Sequence, residues 1–319
     1  MIEESRKIVK SGNTSFTIAL PIDWIRKNNL SKGSDIKIIE NQAGDLLIFS
    51  DSKIIDRRTD ILTIKIDEKD ISSIDFEIAQ GYIQDYQTII IEGNDLKKKL
   101  NHILSRIDDY IGLDVIEQGT HYLTIKNFFH LDAETSPRLL IRKMSMGTMT
   151  FFDLSDRFFK EGLTKADILE SQILMEQNEK LFNLIRKSVL KVFENPQLMK
   201  VIQTTPLDLL KDRIVALNLK NISGLLHTFV KTLLFIERKK KETELLKEVV
   251  ATLKEEYMQV VNAINTGRYD ALKEFIRKNG MDSHNSRLRE INHHLVVESI
   301  YNLKMCKSLL LDIAHQALE

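Results

Sequence analysis

The C-terminal part of the chain, residues 136–319, carries the sequence pattern that most restricts the fold. Strand-like alternation is missing from it, and apolar residues recur every three or four positions. Two such stripes consist of Leu174, Leu181, Ile185, Val189 and Val192, and of Leu210, Ile214, Leu217, Leu225, Phe229 and Ile236. This spacing is typical of long amphipathic helices that bury one face. Turn and breaker residues divide the stretch into about six helices, which predicts an all-α bundle.

The N-terminal 135 residues differ, because seven of the twelve glycines lie there and strand-like runs recur. Phe16, Ile18 and Leu20 alternate with other residues, which predicts a half-buried strand that Pro21 ends. The first 50 residues predict two strands, a short helix and two further strands. The next 85 alternate strand-like and helix-like runs, which is typical of a small α/β domain. The predicted fold class is multidomain α+β, with domains at residues 1–50, 51–135 and 136–319.

The charge of the whole chain is balanced, with 46 basic and 46 acidic side chains, but this balance conceals a basic N-terminal stretch. Seven basic and two acidic residues lie between Arg6 and Lys37, which leaves a net charge of +5 there. Residues 51–135 carry 10 basic and 17 acidic residues instead, so they offer an unfavourable surface for DNA.

Several classes of protein are excluded or disfavoured by what the sequence lacks. The single cysteine, Cys306, excludes an intrachain disulfide and a multi-cysteine zinc site, and it fits a reducing compartment. No apolar run approaches the roughly 18 residues of a membrane-spanning helix, and the first residues do not resemble a signal peptide. We therefore expect a cytoplasmic protein without membrane insertion. The common phosphate-loop, dinucleotide-binding and nucleophile-elbow motifs are absent from the sequence, so we expect no enzymatic activity.

The N-terminal block resembles a SpoVT/AbrB domain. The resemblance lies in residues 6–21, in Trp24, and in the spacing Leu-x-x-Gly-x-Asp from Leu30 to Asp35. It implies an intertwined, swapped-hairpin β-barrel, of which each chain supplies half, and a homodimer that binds double-stranded DNA. Physical chemistry favours such pairing as well, because four short strands in about 50 residues cannot bury enough apolar surface alone.

The same resemblance indicates the residues that face DNA. Arg6, Lys10 and Asn13 match the family's DNA-facing positions, and the further candidates are Lys7, Arg26 and Lys27. Lysine and arginine neutralise backbone phosphates, whereas the choice of sequence needs side chains such as Asn13 or Arg6 at base edges. The alternative is that this domain only dimerises and that its charges are solvated surface.

The rest of the chain resembles archaeal-type AbrB–PhoU fusion proteins. The resemblance is carried by residues 111–118, 138–149, 213–222 and 312–314. It implies two three-helix bundles, a role in regulating phosphate uptake, and metal binding through Glu/Asp-x-x-x-Asp motifs. The metal positions do not match, because they are occupied by Lys220, Gly224, Lys304 and Ser308. An ammonium group cannot coordinate a cation and glycine has no side chain, so we predict no metal and no cofactor.

Other side chains leave alternatives open. Glu176, Glu179 and Asp312 remain acidic, and we expect them to be solvated or salt-bridged. Five histidines offer zinc ligands, but without a fixed carboxylate partner we expect surface or partly buried imidazoles; they are His227, His284, His293, His294 and His315. The methionines and phenylalanines of residues 144–159 predict bundle core, with a contact surface for a transporter or kinase as the alternative.

Together these observations favour a DNA-binding transcriptional regulator of the AbrB–PhoU type, linked to phosphate uptake or phosphate homeostasis. The alternative is a PhoU-like interaction protein that regulates a phosphate transporter or a signalling kinase without binding DNA. A metal-dependent binding protein is a third hypothesis, which Lys220 and Gly224 disfavour.

Overall fold

The computed structural model describes residues 5–12, 14–40, 44, 46–50, 61–196, 198–238, 240–279 and 293–318. Contacts group the chain into two compact units, an N-terminal unit, Met1–Asp60, and a C-terminal unit, Ile61–Glu319. The C-terminal unit contains residues of both the second and the third predicted domain. The predicted division at residues 50 and 51 borders a segment, 51–60, that lies outside the described residues.

The described residues of the N-terminal unit form two hairpins and one short helix. Strands β1 (Val9–Ser11) and β2 (Ser15–Thr17) pair antiparallel, and helix α1 (Ile22–Lys27) follows. Strands β3 (Ile36–Glu40) and β4 (Leu46–Ser50) form the second antiparallel hairpin. The predicted order of two strands, a helix and two strands is therefore confirmed. The predicted half-buried strand is not found, because β2 ends at Thr17 and Phe16 is 64% exposed.

Burial in this unit is polar rather than apolar. Among its described side chains, the buried ones are Asn28 and Ser50. Their side chains meet, with Ser50 Oγ donating to Asn28 Oδ1 at 3.1 Å. Large apolar side chains are exposed instead, and they include Ile8, Val9, Phe16, Ile18, Ile22 and Ile38. A two-stranded hairpin is marginally stable by itself, so this unit holds little apolar burial to stabilise either sheet.

The C-terminal unit begins with a four-stranded sheet and two helices. The elements are β5 (Ile61–Lys65), α2 (Ile71–Ile83), β6 (Thr88–Glu92), α3 (Leu96–Asp108), β7 (Leu113–Gln118) and β8 (Tyr122–Asn127). The strand order is β5-β6-β8-β7, with β5 parallel to β6 and the other pairs antiparallel. Helix α2 approaches the sheet closely at Gly81, where an added Cβ would lie 2.7 Å from Leu62 Cδ2 and 2.9 Å from Ile89 Cδ1.

Strand β7 is the element of this sheet that the sequence patterns did not predict. It is an edge strand, and most of its side chains are exposed. Its charged residues Asp114 and Glu117 interrupt the apolar alternation on which strand prediction depends. An edge strand with charged side chains is a common protection against unwanted pairing.

Six helices of 11 to 30 residues and one single helical turn make up the rest of the described part of this unit. They are α4 (Pro137–Lys160), α5 (Lys165–Glu194), α6 (Leu198–Val201), α7 (Pro206–Leu233), α8 (Lys241–Thr266), α9 (Tyr269–Asn279) and α10 (His294–Leu318). The prediction of about six helices is thus confirmed, with the one-turn α6 added. Capping boxes of Thr164 with Asp167 and of Thr205 with Asp208 start α5 and α7 by satisfying their first amide groups.

The long helices share one apolar core with the sheet. Helices α4, α5 and α7 pack on one another, as do α8, α9 and α10, and α7 joins the two groups by packing on α10. Helix α2 packs on α5 and so connects the sheet to the helices. The predicted core stretch is confirmed at Met144, Phe151, Phe152 and Phe158, which are buried, whereas Met146 is 65% exposed. None of the helices in the described ranges is long and apolar enough to cross a membrane.

Candidate nucleic-acid interface and the substituted acidic positions

The predicted DNA-facing cations occupy two places in the N-terminal unit. Arg6 and Lys7 precede β1 and Lys10 lies within it, whereas Arg26 and Lys27 form the end of α1. All five side chains are exposed. The remaining candidate, Asn13, lies outside the described residues. The structure therefore presents two groups of accessible cations, one on the first hairpin and one on the helix.

The end of α1 is positioned by a small polar network. Asn28 Nδ2 donates to the carbonyl of Trp24 at 2.7 Å, and the amide of Leu30 donates to the carbonyl of Ile25 at 3.0 Å. The buried contact between Asn28 and Ser50 ties this helix end to β4. Cations in the last helical turn also interact favourably with the helix dipole. Arg26 and Lys27 therefore stand on a terminus that is fixed at two points.

In the helical region, the substituted position Lys220 lies against a retained acid. Its Nζ is 3.1 Å from Glu179 Oε2 on α5, and it lies 5.6 Å from the centre of the Phe182 ring. The expectation that Glu179 is salt-bridged is therefore confirmed. Glu176, one turn earlier, is exposed and accepts a hydrogen bond from Gln172 Nε2 at 2.9 Å.

Lys220 lines a groove of about 830 Å³ between helices α3, α5, α7 and α10, together with Gly224 and both glutamates. Gly224 leaves open space, because an added Cβ would meet nothing within 4 Å. These residues do not fit a divalent cation, since the ammonium group of Lys220 lies where a metal would contact Glu179. Lys304 and Ser308 are exposed on α10, as is Asp312. Within the described ranges, no group of three or more His, Cys, Asp or Glu side chains could hold a metal ion.

The described candidate histidines do not form a common metal site. His227 Nδ1 lies 2.9 Å from Ser171 Oγ, and burial, assisted by the charge of Lys231, lowers the pKa of this imidazole. His293 and His294 stack on each other at the start of α10. His315 is exposed near the end of that helix, and His284 lies outside the described residues. The described histidines are therefore partly buried or surface side chains, as expected.

One cluster in the C-terminal unit was missed by the sequence patterns. Asp85, just after α2, contacts two lysines of α5: its Oδ1 is 3.2 Å from Lys187 Nζ and its Oδ2 is 2.8 Å from Lys191 Nζ. Lys187 is 0% exposed, and its ammonium lies 4.2 Å from the centre of the Tyr82 ring. We call Asp85, Lys187 and Lys191 the buried ion cluster; it joins the α/β part to the helices.

Burial and charge compete within the buried ion cluster. Burial opposes ionisation of Asp85, but the hydrogen bond from Lys191 and the charge of Lys187 outweigh it and hold the pKa of Asp85 below its ordinary value. Burial lowers the pKa of Lys187 to about 8, against the attraction of Asp85. The sequence shows two lysines, Lys187 and Lys191, four residues apart and therefore on one face of a helix beside its apolar stripe. No sequence pattern near these lysines indicates that Asp85 is their partner.

Comparisons of the chain with protein families, with curated protein sequences and with solved structures found no match in any of the three. The resemblances to the SpoVT/AbrB and PhoU families therefore stay predictions from the residues quoted above. The features that bear on function are the accessible cations and the exposed apolar side chains of the N-terminal unit.

Proposed function

We propose that the chain is a homodimeric, DNA-binding transcriptional regulator of the AbrB–PhoU type, in which the N-terminal units of two copies form one basic surface. The observation that carries the proposal is the exposure of large apolar side chains in a unit that also exposes its cations. Phe16 and Ile38 are 64% and 57% exposed. Pairing with a second copy would remove such side chains from water, at roughly 25 cal/mol per Å² of apolar surface buried.

Dimerisation would also double the positive charge that a duplex meets. Lys10, Arg26 and Lys27 are exposed, and each can neutralise a phosphate and release a bound counterion. Arg6 and Lys7 extend the group before β1. Such contacts supply affinity and orientation, and base-edge contacts supply the choice of sequence.

The regulated process is proposed to be phosphate uptake or phosphate homeostasis, on the basis of the sequence resemblance of the helical region. In this proposal the protein acts in the cytoplasm, requires no cofactor and catalyses no reaction. The helical region would receive the signal, and the N-terminal units would deliver it to DNA.

Two measurements on the full chain test the proposal. Light scattering gives the mass, and we expect twice the 36.9 kDa of one chain. Fluorescence anisotropy with a labelled duplex then gives the affinity over a series of salt concentrations. Lys10→Glu is expected to weaken binding and to reduce the slope of log affinity against log salt by about 2, because a dimer loses two phosphate contacts of about 0.9 each.

A matched control is Lys160→Glu, the same charge reversal at an exposed position of α4 in the C-terminal unit. It should leave both the affinity and the salt slope unchanged. A monomeric mass, or a Lys10→Glu variant that binds duplex as tightly as the wild type, would contradict the proposal.

A second candidate function is that of a PhoU-like interaction protein, which regulates a phosphate transporter or a signalling kinase without binding DNA. It is favoured by an apolar stripe on α7 in which Leu207, Leu210 and Leu217 are each more than 40% exposed. Exposed apolar patches mark contact sites for other proteins. Crosslinking in cells separates the two functions: enrichment at a few promoters supports the regulator, whereas a flat DNA profile with co-purified transporter or kinase supports the interaction protein.

A further inference from the structure

A cavity of about 220 Å³ lies in the C-terminal unit where the first turns of α4 and α7 meet the later helices. Three cationic side chains line it, Arg138 and Arg142 from α4 and Lys211 from α7. None of the three forms an ion pair with a side chain in the described ranges. Cations that gather around one cavity without carboxylate partners repel one another, and an anion between them removes that repulsion.

The two carboxylates of the cavity, Asp208 and Asp212, offset only part of this positive charge. Asp208 belongs to the capping box of α7, where it accepts hydrogen bonds from the amide and the hydroxyl of Thr205. Asp212 forms no ion pair among the described residues, and burial raises its pKa to about 6; Arg138 opposes this rise and Asp208 adds to it. Three positive charges therefore line the cavity with two carboxylates, of which one is engaged in a cap and the other takes up a proton near pH 6.

Size and chemistry restrict the ligand. Pockets for drug-sized molecules measure roughly 300–1,000 Å³, so a cavity of about 220 Å³ suits a smaller group. Guanidinium groups present planar forks of N–H donors that match two oxygens of a phosphate or carboxylate at once. The hydroxyl of Tyr269 and the amide of Asn265, which also line the cavity, offer neutral polar groups.

We propose that this cavity binds a small, doubly charged oxyanion, inorganic phosphate or a phosphomonoester, on Arg138, Arg142 and Lys211. The site lies wholly within the C-terminal unit and does not rest on the proposed DNA binding. Either proposal can therefore fail without the other.

Calorimetric titration of the full chain in low-salt buffer tests the site. Inorganic phosphate and glycerol phosphate are the two probes. Tighter binding of the free ion identifies phosphate as the ligand class, and tighter binding of the ester identifies a phosphomonoester; both results support the site. Arg142→Gln is expected to weaken binding of the better probe by roughly tenfold or more, since it removes a charge-assisted hydrogen-bond donor.

Arg213→Gln is the matched control, because Arg213 is an exposed arginine of α7 that does not line the cavity. Its affinity should equal that of the wild type. Far-UV circular dichroism checks that both variants keep their helices. No heat of binding from either probe with the wild type, or equal binding by Arg142→Gln and the wild type, would overturn the proposal.

The pH dependence of sulfate binding gives a second, independent readout. Sulfate stays doubly charged across the relevant range, so a change in its affinity reports on the protein. The charged and titratable groups that line the cavity with Asp212 are Arg138, Arg142, Asp208, Lys211 and Tyr269. Affinity should rise as the pH falls through about 6, because protonation removes a negative charge beside the anion. Asp212→Asn should bind sulfate tightly at neutral pH and lose this dependence; an unchanged pH profile would overturn the assignment.

Discussion

The buried ion cluster should stabilise the C-terminal unit only while both signs of charge are present, and Asp85→Asn tests this. The substitution keeps the shape of the side chain, and asparagine tolerates the left-handed backbone of this position, where φ is 59°. It leaves Lys187 and Lys191 buried without a counter-ion among the described residues. Breaking a buried ion pair by removing one partner costs about 3–5 kcal/mol.

The protonation chemistry of Lys187 sets a ceiling on this loss. Relative to the unfolded chain, in which the pKa of this lysine is near 10.5, removing its proton at pH 7 costs about 5 kcal/mol. Without Asp85, deprotonation of Lys187 costs less free energy than keeping its unpaired positive charge buried at 0% exposure. The expected decrease in the free energy of unfolding is therefore about 3–5 kcal/mol.

Urea unfolding of the full chain provides the assay, because two signals separate the two units. Far-UV circular dichroism reports the helices of the C-terminal unit. Tryptophan fluorescence reports the N-terminal unit, since Trp24 is the single tryptophan of the chain. We expect Asp85→Asn to shift the helical transition to lower urea and to leave the fluorescence transition in place.

Two further variants calibrate the result. Glu179→Gln breaks the ion pair with Lys220, which also joins α5 to α7 but is partly exposed, and it should cost about 1 kcal/mol or less. Lys187→Met removes the buried charge itself and should be nearly neutral or stabilising. The reasoning is refuted if Asp85→Asn costs no more than Glu179→Gln.

The remaining predictions concern pH, backbone approach and the dimer. The pKa of Lys187 is about 8 in the folded protein and about 10.5 in the unfolded chain, so between these pH values the unfolded chain holds one more proton. The free energy of unfolding of the wild type, relative to that of Lys187→Met, should therefore rise by about 3 kcal/mol from pH 8 to pH 10.5. A constant difference across a pH series of urea titrations would contradict this. Gly81→Ala should destabilise the C-terminal unit by about 1–3 kcal/mol, because the added methyl group overpacks against the sheet. Gly224→Ala, on open helix surface, should stabilise the unit by about 1 kcal/mol. Urea titrations in which both variants change the free energy of unfolding in the same direction would refute the packing argument. Phe16→Ser should reduce the dimer fraction measured by sedimentation. Met146→Ser is the control, because Met146 is nearly equally exposed but lies in the C-terminal unit, and it should leave the dimer fraction unchanged. Equal effects of the two substitutions would count against dimerisation through the N-terminal unit.

Local patterns in the sequence predicted most of the secondary structure. The long helices were recognisable because apolar residues at three- to four-residue spacing need no distant partner to be seen. The capping boxes at Thr164 and Thr205 show the same locality, since both members of each lie within four residues. Strand β7 escaped prediction because it is a charged edge strand, whose conformation depends on pairing with β8 rather than on its own apolar pattern.

The sites were less predictable than the elements. The candidate cations of the N-terminal unit were visible as a local excess of charge, and the substituted acidic positions were visible as single residues in a helical motif. The buried ion cluster and the cavity lined by Arg138, Arg142 and Lys211 were not, because their members come from distant parts of the chain. Asp85 and Lys187 are more than 100 positions apart, and Arg138 and Lys211 are more than 70 positions apart.

By itself, the sequence determined where the long helices and most of the strands form, where positive charge accumulates, and which carboxylates are missing from the helical motifs. These properties follow from neighbouring residues, and they persist in any arrangement of the elements. Only the tertiary structure decided that Asp85 neutralises two lysines of α5, that Lys220 meets Glu179, and that three cations share one cavity. Such pairings depend on which helix faces pack together, and packing joins residues through space, without regard to their distance along the chain.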